Sequence, residues 1–335
     1  MNLPSNHPAI PKRRVGVLLM NLGTPDDPSP RSVRRYLAEF LSDRRVVELP
    51  PIAWQPILRG IILNTRPKKS AHAYQQVWSE RGSPLAAITR AQSEAMQGAF
   101  GDGVVIDWAM RYGNPSIASR IESLREQGCD RILLAPLYPQ YCAATTATAN
   151  DKAFAHLAKL RWQPAIRTLP PYYDDPLYID ALASTLREDL AKLDFEPDAI
   201  VASFHGMPRR TLQLGDPYHC HCQKTARLVQ EALGRPLTIA FQSRFGPAKW
   251  LGPATDETLV ELAKAGKRRV AIFAPGFSAD CLETLEELAI RGKESFEEAG
   301  GTDFAYLPCL NAEPTGNKML RNIIARELAG WIDAA

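Results

Sequence analysis

Short, almost wholly apolar segments recur along the chain and constrain its fold more than any other feature of the sequence. Such segments are typical of strands in a parallel sheet, because helices cover both faces of that sheet. The predicted strands are residues 14–21, 104–110, 131–138, 199–205, 237–241 and 269–275. Amphipathic segments, predicted as helices, are residues 116–127, 177–193, 256–265 and 317–332. The alternation of strands and helices predicts an α/β fold with parallel sheets.

The chain has 335 residues, which at roughly 150 residues per domain suggests two domains. The strands fall into two sets, so we expect two doubly wound halves joined near residues 160–171. We expect about the first ten residues, which are polar and rich in proline, to be loose. Ligands of such folds bind beyond the carboxyl ends of strands or in a cleft between two halves. Residues that directly follow a strand are therefore the first candidates for a site.

Charge and cysteine content narrow the class of protein. The 40 Lys and Arg residues nearly balance the 37 Asp and Glu residues, and the net charge is +3. Nucleic-acid binding depends on clustered positive charge, so we expect no nucleic-acid partner. The N-terminus lacks the basic start and apolar stretch of a signal peptide, which predicts a cytoplasmic protein whose 6 cysteines are thiols. No apolar run approaches the roughly 20 residues that span a bilayer, so any membrane contact would be peripheral.

The sequence lacks several common cofactor and catalytic motifs. No strand is followed by G-x-G-x-x-G, and neither a P-loop nor H-E-x-x-H occurs. Residues 276–280 resemble a G-x-S-x-G nucleophile elbow, but the second glycine is missing and no histidine follows, so we reject a hydrolase. The string His219-Cys220-His221-Cys222 carries metal-ligating side chains. We favour a structural role for it, because alternating residues of an extended segment point to opposite sides.

A histidine follows one of the predicted strands. Strand 199–204 delivers His205 to the edge of the sheet, where an imidazole is suited to proton transfer. A structural histidine with satisfied hydrogen bonds is the alternative interpretation of this position.

A row of acidic residues follows another predicted strand. After residues 269–274, a helix is predicted with Ser278 as its N-cap. Asp280, Glu283 and Glu287 would then share one helix face, at positions i, i+3 and i+7. A row of carboxylates is suited to protons or hard cations, and a solvated helix face is the alternative.

The sequence resembles the ferrochelatases, which insert ferrous iron into a porphyrin, from about residue 15 to residue 328. The resemblance rests on the segments LLMNLGTPDDPSPRSVRRYLAEFLSDRRVVELP, GSPL, AMRYGNPSI, PLYPQY, SFHGMPRR, GDPYHCHCQKTA, FQSRFGPAKWLGPATDETL and PGFSADCLETLEEL. It implies two Rossmann-like domains, each a parallel sheet flanked by helices, with a cleft between them. It also implies a C-terminal helix that returns to the first domain, which would then comprise residues 12–160 and 312–335, with residues 161–311 as the second domain.

The resemblance implies an activity and a set of site residues. The expected reaction is insertion of Fe(II) into protoporphyrin IX to give protohaem with release of two protons, the terminal step of haem biosynthesis. His205 corresponds to the cleft histidine that acts as base, and Glu283 corresponds to the acid opposite it. The expected metal-contacting residues are His205, Glu283, Glu287 and Asp280. The expected porphyrin-binding residues are Leu22, Arg111, Tyr112, Gln242, Arg244 and Trp250.

The positions of the cysteines indicate whether the chain could bind an iron–sulfur cluster. Some ferrochelatases hold a [2Fe–2S] cluster through cysteines in a C-terminal extension and one in the first half. This chain ends at residue 335 without that extension, and Cys142 lies one place before the expected cysteine position, which Ala143 occupies. We therefore expect no cluster of that type, while Cys220 and Cys222 leave a different cluster open. A histidine in one type of family member stands where this chain has Cys281, so this position need not bind iron.

Residues 52–63 are strongly apolar and precede Arg66, Lys68 and Lys69. They would form a core helix or, by the resemblance, a hydrophobic lip at the cleft. A lip of this kind favours peripheral membrane contact, with the basic residues facing anionic headgroups. We expect a monomer or a homodimer.

Two other functions remain open at this point. The first is a chelatase for coproporphyrin or a sirohydrochlorin-type ring, whose additional carboxylates would need more Arg or Lys residues in the cleft. The second is a haem or metal carrier without enzymatic activity, which would form a stable complex and insert no metal.

Overall fold

Two separate parallel sheets form the framework of the protein. The structure, a computed structural model, describes residues 13–246 and 248–332. The segment expected to be loose, and residues 12 and 333–335 of the expected first domain, lie outside the described residues. The first sheet has the strand order β2-β1-β3-β4 and the second the order β6-β5-β7-β8. Their strands are β1 Arg14–Gly23, β2 Val104–Tyr112, β3 Cys129–Pro136, β4 Ala165–Thr168, β5 Ala199–His205, β6 Thr238–Gln242, β7 Arg269–Phe273 and β8 Asp303–Leu307.

Helices flank both sheets, and the predicted α/β class with two parallel sheets is confirmed. The α-helices are α1 Pro30–Leu41, α2 Pro51–Ile57, α3 Leu63–Val77, α4 Pro84–Ala95, α5 Ile117–Glu126, α6 Thr148–Leu157, α7 Pro176–Leu190, α8 Arg209–Gln213, α9 Tyr218–Leu233, α10 Thr255–Lys264, α11 Lys293–Glu298 and α12 Pro314–Glu327. Three π-helical segments interrupt this series: π1 Leu58–Ile62, π2 Ala143–Ala147 and π3 Glu283–Gly292. None of the helices in the described part of the chain is both long and apolar enough to cross a membrane.

The sequence does not predict the two strands β4 and β8. Both lie at the edge of a sheet, and their side chains are mostly half-buried or exposed, so neither has the apolar run of a central strand. Strand β4 pairs with β3 in the first sheet. The sheets therefore divide after β4, whereas the expected domain boundary at residues 160 and 161 assigns β4 to the second domain.

The end of helix α12 and the residues after it contact the first sheet. Their carbonyl groups accept hydrogen bonds from two arginines on β3 and β4. Arg167 Nη1 donates to the oxygens of Glu327 at 2.7 Å and Ala329 at 2.9 Å, and Arg131 Nη1 donates to the oxygen of Trp331 at 3.1 Å. The Arg167 guanidinium also lies 4.3 Å from the centre of the Trp331 ring. These contacts satisfy the carbonyl group of Glu327, which the helix itself leaves unpaired, and those of two residues that follow the helix.

A short loop after β3 forms hydrogen bonds with the second half. The side chain of Gln140 donates to Thr225 Oγ1 at 3.0 Å, and the N–H of Tyr141 donates to His221 Nδ1 at 3.2 Å. The N–H of Ala143 donates to Asp216 Oδ2 at 2.8 Å. Side chains of α9 and of the loop before it thus satisfy the polar groups of a loop that leaves the first sheet.

Candidate active site

His205 is the last residue of β5, and a hydrogen bond fixes its imidazole. Its Nδ1 lies 2.7 Å from the carbonyl oxygen of Gly206. A carbonyl oxygen only accepts, so Nδ1 carries the proton, and Nε2 of the neutral ring keeps its lone pair. A side chain at position 206 would obstruct this arrangement, because a Cβ there would lie 2.5 Å from the backbone oxygen of Gln242. The ring is therefore held in the tautomer that can accept a proton at Nε2.

The acidic residues after β7 do not form the row that the sequence predicts. The helix begins at Glu283 rather than near Ser278, and it is the π-helix π3. Ser278 is therefore not the N-cap, and among the described residues its buried Oγ has no hydrogen-bond partner. The prediction of one shared face is wrong, because Asp280 precedes the helix and a π-helix winds with i→i+5 hydrogen bonds.

Gln242 connects the strand of His205 to Glu283. It is the last residue of β6, pairs in register with His205 and is 2% exposed. Its Nε2 donates to the carbonyl oxygen of Glu283 at 2.8 Å, and its Oε1 accepts from Ser203 Oγ at 2.7 Å. Gln242 of β6, held in turn by Ser203 of β5, thus fixes where the start of π3 lies. Gln242 is buried behind the site and orients its neighbours.

The Glu283 side chain faces the interface with the first half. Burial first, and then the charge of Glu283, raise the pKa of both Tyr74 and Cys281. Leu22 from the end of β1 packs in the same small apolar cluster as Cys281. Tyr74 of the first half and Cys281 of the second half are therefore both close to this carboxylate.

Asp280 and Glu287 point in different directions. Asp280 accepts hydrogen bonds from Tyr306 Oη at 2.5 Å and Asn311 Nδ2 at 2.6 Å, on the side of β8. Glu287 accepts hydrogen bonds from Ser243 at the end of β6. No three His, Cys, Asp or Glu side chains come together as a metal site within residues 13–246 and 248–332. The four residues expected to contact metal, His205, Glu283, Glu287 and Asp280, are thus not gathered around one point.

Arg111 and Tyr112, at the end of β2, are occupied by Asp43. Asp43 Oδ2 accepts from the Arg111 guanidinium, from Tyr112 Oη at 2.9 Å and from Thr148 Oγ1 at 2.5 Å. Burial works against ionisation of Asp43, but the bonds from Thr148, the Arg45 N–H and Tyr112 lower its pKa overall. Burial raises the pKa of Tyr112, which is 0% exposed. Tyr112 is therefore buried within the first half, and Arg111 is half-buried and held by Asp43.

Arg244 and Trp250 lie on the loop after β6. Arg244 Nη2 donates to Asp256 at 3.1 Å and to Glu257 at 2.9 Å, which directs its charge toward the start of α10. Trp250 Nε1 donates to the oxygen of Phe245 at 3.1 Å, and its ring packs over Gly206 beside His205. Of this pair, Trp250 is the one that lies next to Gly206, the residue that follows His205.

Open grooves occur away from this region. One of about 710 Å³ lies on the first half and another of about 630 Å³ lies beside it. Neither is lined by His205 or Glu283, and Arg111 is the only predicted site residue in either lining. The first groove is lined by Arg34, Ala38, Glu39, Ser42, Asp43, Leu58, Arg59, Leu63, Arg111 and Lys152. Its volume does not make it the active site, because Asp43 and Arg111 already pair there, and the free imidazole nitrogen lies elsewhere.

The His219-Cys220-His221-Cys222 string lies on α9, so the prediction of an extended segment is wrong. His221 stacks on Tyr173 with ring centres 3.6 Å apart, and His219 lies 5.8 Å from the ring centre of Phe241. Cys220 is exposed and Cys222 is buried. Burial lowers the pKa of His221, which accepts a hydrogen bond at Nδ1. The four side chains thus have different neighbours and different surroundings.

Sequence reasoning missed two residues. Ser203 contacts Gln242, and Ser243 contacts Glu287. Both lie in segments that carry the family resemblance, SFHGMPRR and FQSRFGPAKWLGPATDETL, but no residue pattern shows which side chains they contact.

Comparisons with known proteins support a single family. The profile of a family described as "Ferrochelatase" matches residues 14–328. A protein named "Ferrochelatase" from Rhizobium meliloti is 57% identical over 339 residues, which covers 99% of this chain and 100% of the relative. A protein of the same name from Agrobacterium fabrum is 57% identical over 337 residues, covering 98% of each chain. The solved structure of SirB from Bacillus subtilis with Fe3+ matches with a TM-score of 0.58 at 14% identity, covering 95% of this chain and 97% of SirB, which indicates a shared fold.

Proposed function

Because the chain belongs to the ferrochelatase family, we propose that His205 is the base and Glu283 the opposing acid of its iron-insertion reaction. Ferrochelatases are lyases that insert Fe(II) into protoporphyrin to form protohaem, and this is the activity of the protein. The resemblance seen in the sequence is confirmed. No observation favours a carrier or a chelatase for another ring.

The chemistry explains what the site must provide. A free porphyrin is planar, and two of its four nitrogens carry protons that must leave before iron can bind. A buckled ring exposes its nitrogen lone pairs on one face, and binding energy elsewhere on the ring can supply that strain. The site therefore needs apolar walls, a base on one face of the ring and a path for the metal.

The observation that carries the proposal is the hydrogen bond from His205 Nδ1 to the Gly206 oxygen at 2.7 Å. It leaves Nε2 as the free basic nitrogen, which takes one pyrrole proton at a time and passes it to water before it takes the second. Trp250 over Gly206 and Leu22 against Cys281 are suited to be walls of the porphyrin slot. We assign the buried Tyr112 to the layer of side chains that supports this wall.

Carboxylates and arginines complete the proposal. Glu283 faces the ring from the side of π3, and Glu287 and Asp280 belong to the route for iron or protons. Gln242 fixes the position of Glu283 by donating a hydrogen bond to the Glu283 carbonyl oxygen. Arg111 and Arg244 act indirectly. They help to orient the porphyrin through the end of β2 and the loop after β6.

The test of this proposal is His205→Ala. We expect the rate of Fe(II) insertion to fall by about 10²- to 10⁴-fold, the usual contribution of a general base. Insertion is measured by loss of the free-base porphyrin absorption bands, and porphyrin binding by fluorescence, which should change little. His72→Ala, at an exposed position on α3, is the matched control. Insertion near the wild-type rate in His205→Ala would show that the base is another residue.

We further propose that the protein is cytoplasmic and touches membranes at the edge of the cleft. Ile52 is 89% exposed and Ile61 58% exposed, on α2 and π1, and Arg66 and Lys68 follow on α3. Protoporphyrin and protohaem are poorly soluble in water, so transfer at a lipid surface suits the reaction. We retain the expectation of a monomer or homodimer.

We also propose that the protein works without a [2Fe–2S] cluster. The position after PLYPQY where a cluster-bearing relative is expected to have a cysteine is Ala143 in this chain, and the neighbouring Cys142 is buried.

A further inference from the structure

Ser243 has an unusual backbone conformation at the end of β6. Its φ is 65°, in the left-handed region, where a residue other than glycine is uncommon. Conformations of this kind are concentrated at functional sites, where surrounding contacts maintain them. Ser243 directly follows Gln242, whose side chain holds the carbonyl group of Glu283.

This conformation directs two donors of one residue at one carboxylate. The Ser243 N–H donates to Glu287 Oε1 at 2.7 Å, and Ser243 Oγ donates to Glu287 Oε2 at 2.5 Å. Arg291 Nη2 lies farther away, at 3.9 Å from Glu287 Oε2. Hydrogen bonds to an ionised acceptor are stronger than neutral ones, so Ser243 is the main determinant of where this carboxylate points.

We propose that Ser243 is a positioning residue that holds the Glu287 carboxylate in the orientation needed to pass Fe(II) toward the porphyrin. The proposal rests on the role of Glu287 in the proposed function. A carboxylate with one donor on each oxygen keeps further lone pairs free for a cation. The left-handed backbone is the feature that lets both donors of Ser243 reach it.

Ser243→Gly tests the proposal, because glycine accepts φ 65° readily and only the hydroxyl is lost. We expect the KM for Fe(II) to rise about tenfold, the factor that corresponds to one hydrogen bond to a charged group. The KM for porphyrin should not change. The melting temperature should change little, since the freedom of glycine at positive φ offsets the lost hydrogen bond. A purely structural serine would not separate the two KM values in this way.

The matched control is Ser184→Ala. Ser184 Oγ also donates to a glutamate four residues away, Glu188, at 3.3 Å, but on the exposed side of α7. Both KM values of this variant should equal those of the unmodified enzyme.

A double-mutant cycle with Glu287→Ala separates the outcomes. If Ser243 acts through Glu287, Ser243→Gly adds nothing to the KM for Fe(II) once Glu287 is alanine. Equal effects in both backgrounds, or no change in KM in Ser243→Gly alone, would overturn the proposal. An unchanged KM in Glu287→Ala would instead overturn the role of Glu287 on which the proposal rests.

Discussion

At the scale of single residues, the backbone around His205 determines its chemistry. The Gly206 carbonyl group fixes which ring nitrogen carries the proton, and the Gln242 oxygen leaves no room for a side chain at position 206. The position of His205 after a predicted strand identifies it as a candidate from the sequence. The tautomer depends on a contact between the imidazole and the carbonyl group of the next residue, which no residue pattern encodes.

The role of the Glu283 charge can be tested by Glu283→Gln, which keeps the size of the side chain. We expect the insertion rate to fall about 10²-fold, because a fixed charge at the reacting ring is lost. Steady-state insertion measures the effect, and porphyrin binding is followed separately. Glu286→Gln on the same helix is the control, since that carboxylate pairs with Arg291 at 3.0 Å. An unchanged rate in Glu283→Gln would move the acidic role to Glu287 or Asp280.

At the scale of elements, the sequence predicts central strands better than edges and helix starts. Strands β1, β3 and β5 have continuous apolar runs because both of their faces are covered. Strands β4 and β8 lack such runs, since their side chains are mostly half-buried or exposed. The start and winding of π3 also escape prediction, because spacing rules assume an α-helix.

The attachment of α12 gives a prediction at this scale. Arg167→Ala removes two hydrogen bonds, one to the last carbonyl group of the helix and one to that of Ala329, and a cation–π contact with Trp331. We expect the free energy of unfolding to fall by about 2 kcal/mol. Urea denaturation measures this change, and the exposed Arg161→Ala is the control. A loss under about 0.5 kcal/mol, the size of an ordinary surface substitution, would contradict this account.

At the scale of the whole molecule, the proposed site draws on residues from both halves. His205 and Glu283 come from the second sheet and the helix after it, while Leu22 and Tyr74 come from the first half. The sequence predicts that two sheets exist and which residues follow their strands. It does not predict that Arg111 and Tyr112 are bound to Asp43, because that contact joins elements far apart in the chain.

The proposed membrane contact is also a property of the whole surface. Replacing both Ile52 and Ile61 by Asp should lower binding to anionic lipid vesicles at least tenfold, because two exposed apolar side chains are lost and negative charge is added. Vesicle flotation measures this binding. Phe154→Asp, at a residue 46% exposed on α6, is the control. Equal flotation of the double variant and the control would exclude this part of the surface as the contact.

The burial of the cysteines has a consequence for an enzyme that handles ferrous iron. Fe(II) reacts with oxygen and produces peroxide, which attacks exposed thiolates first. Burial raises the pKa of Cys281 and of Cys309, and among the described residues Cys220 is the one exposed cysteine. The buried thiol of Cys281, beside Glu283, is therefore protected from the oxidants that the enzyme's iron substrate generates. We expect oxidative modification instead at Cys220, on the outer surface of α9.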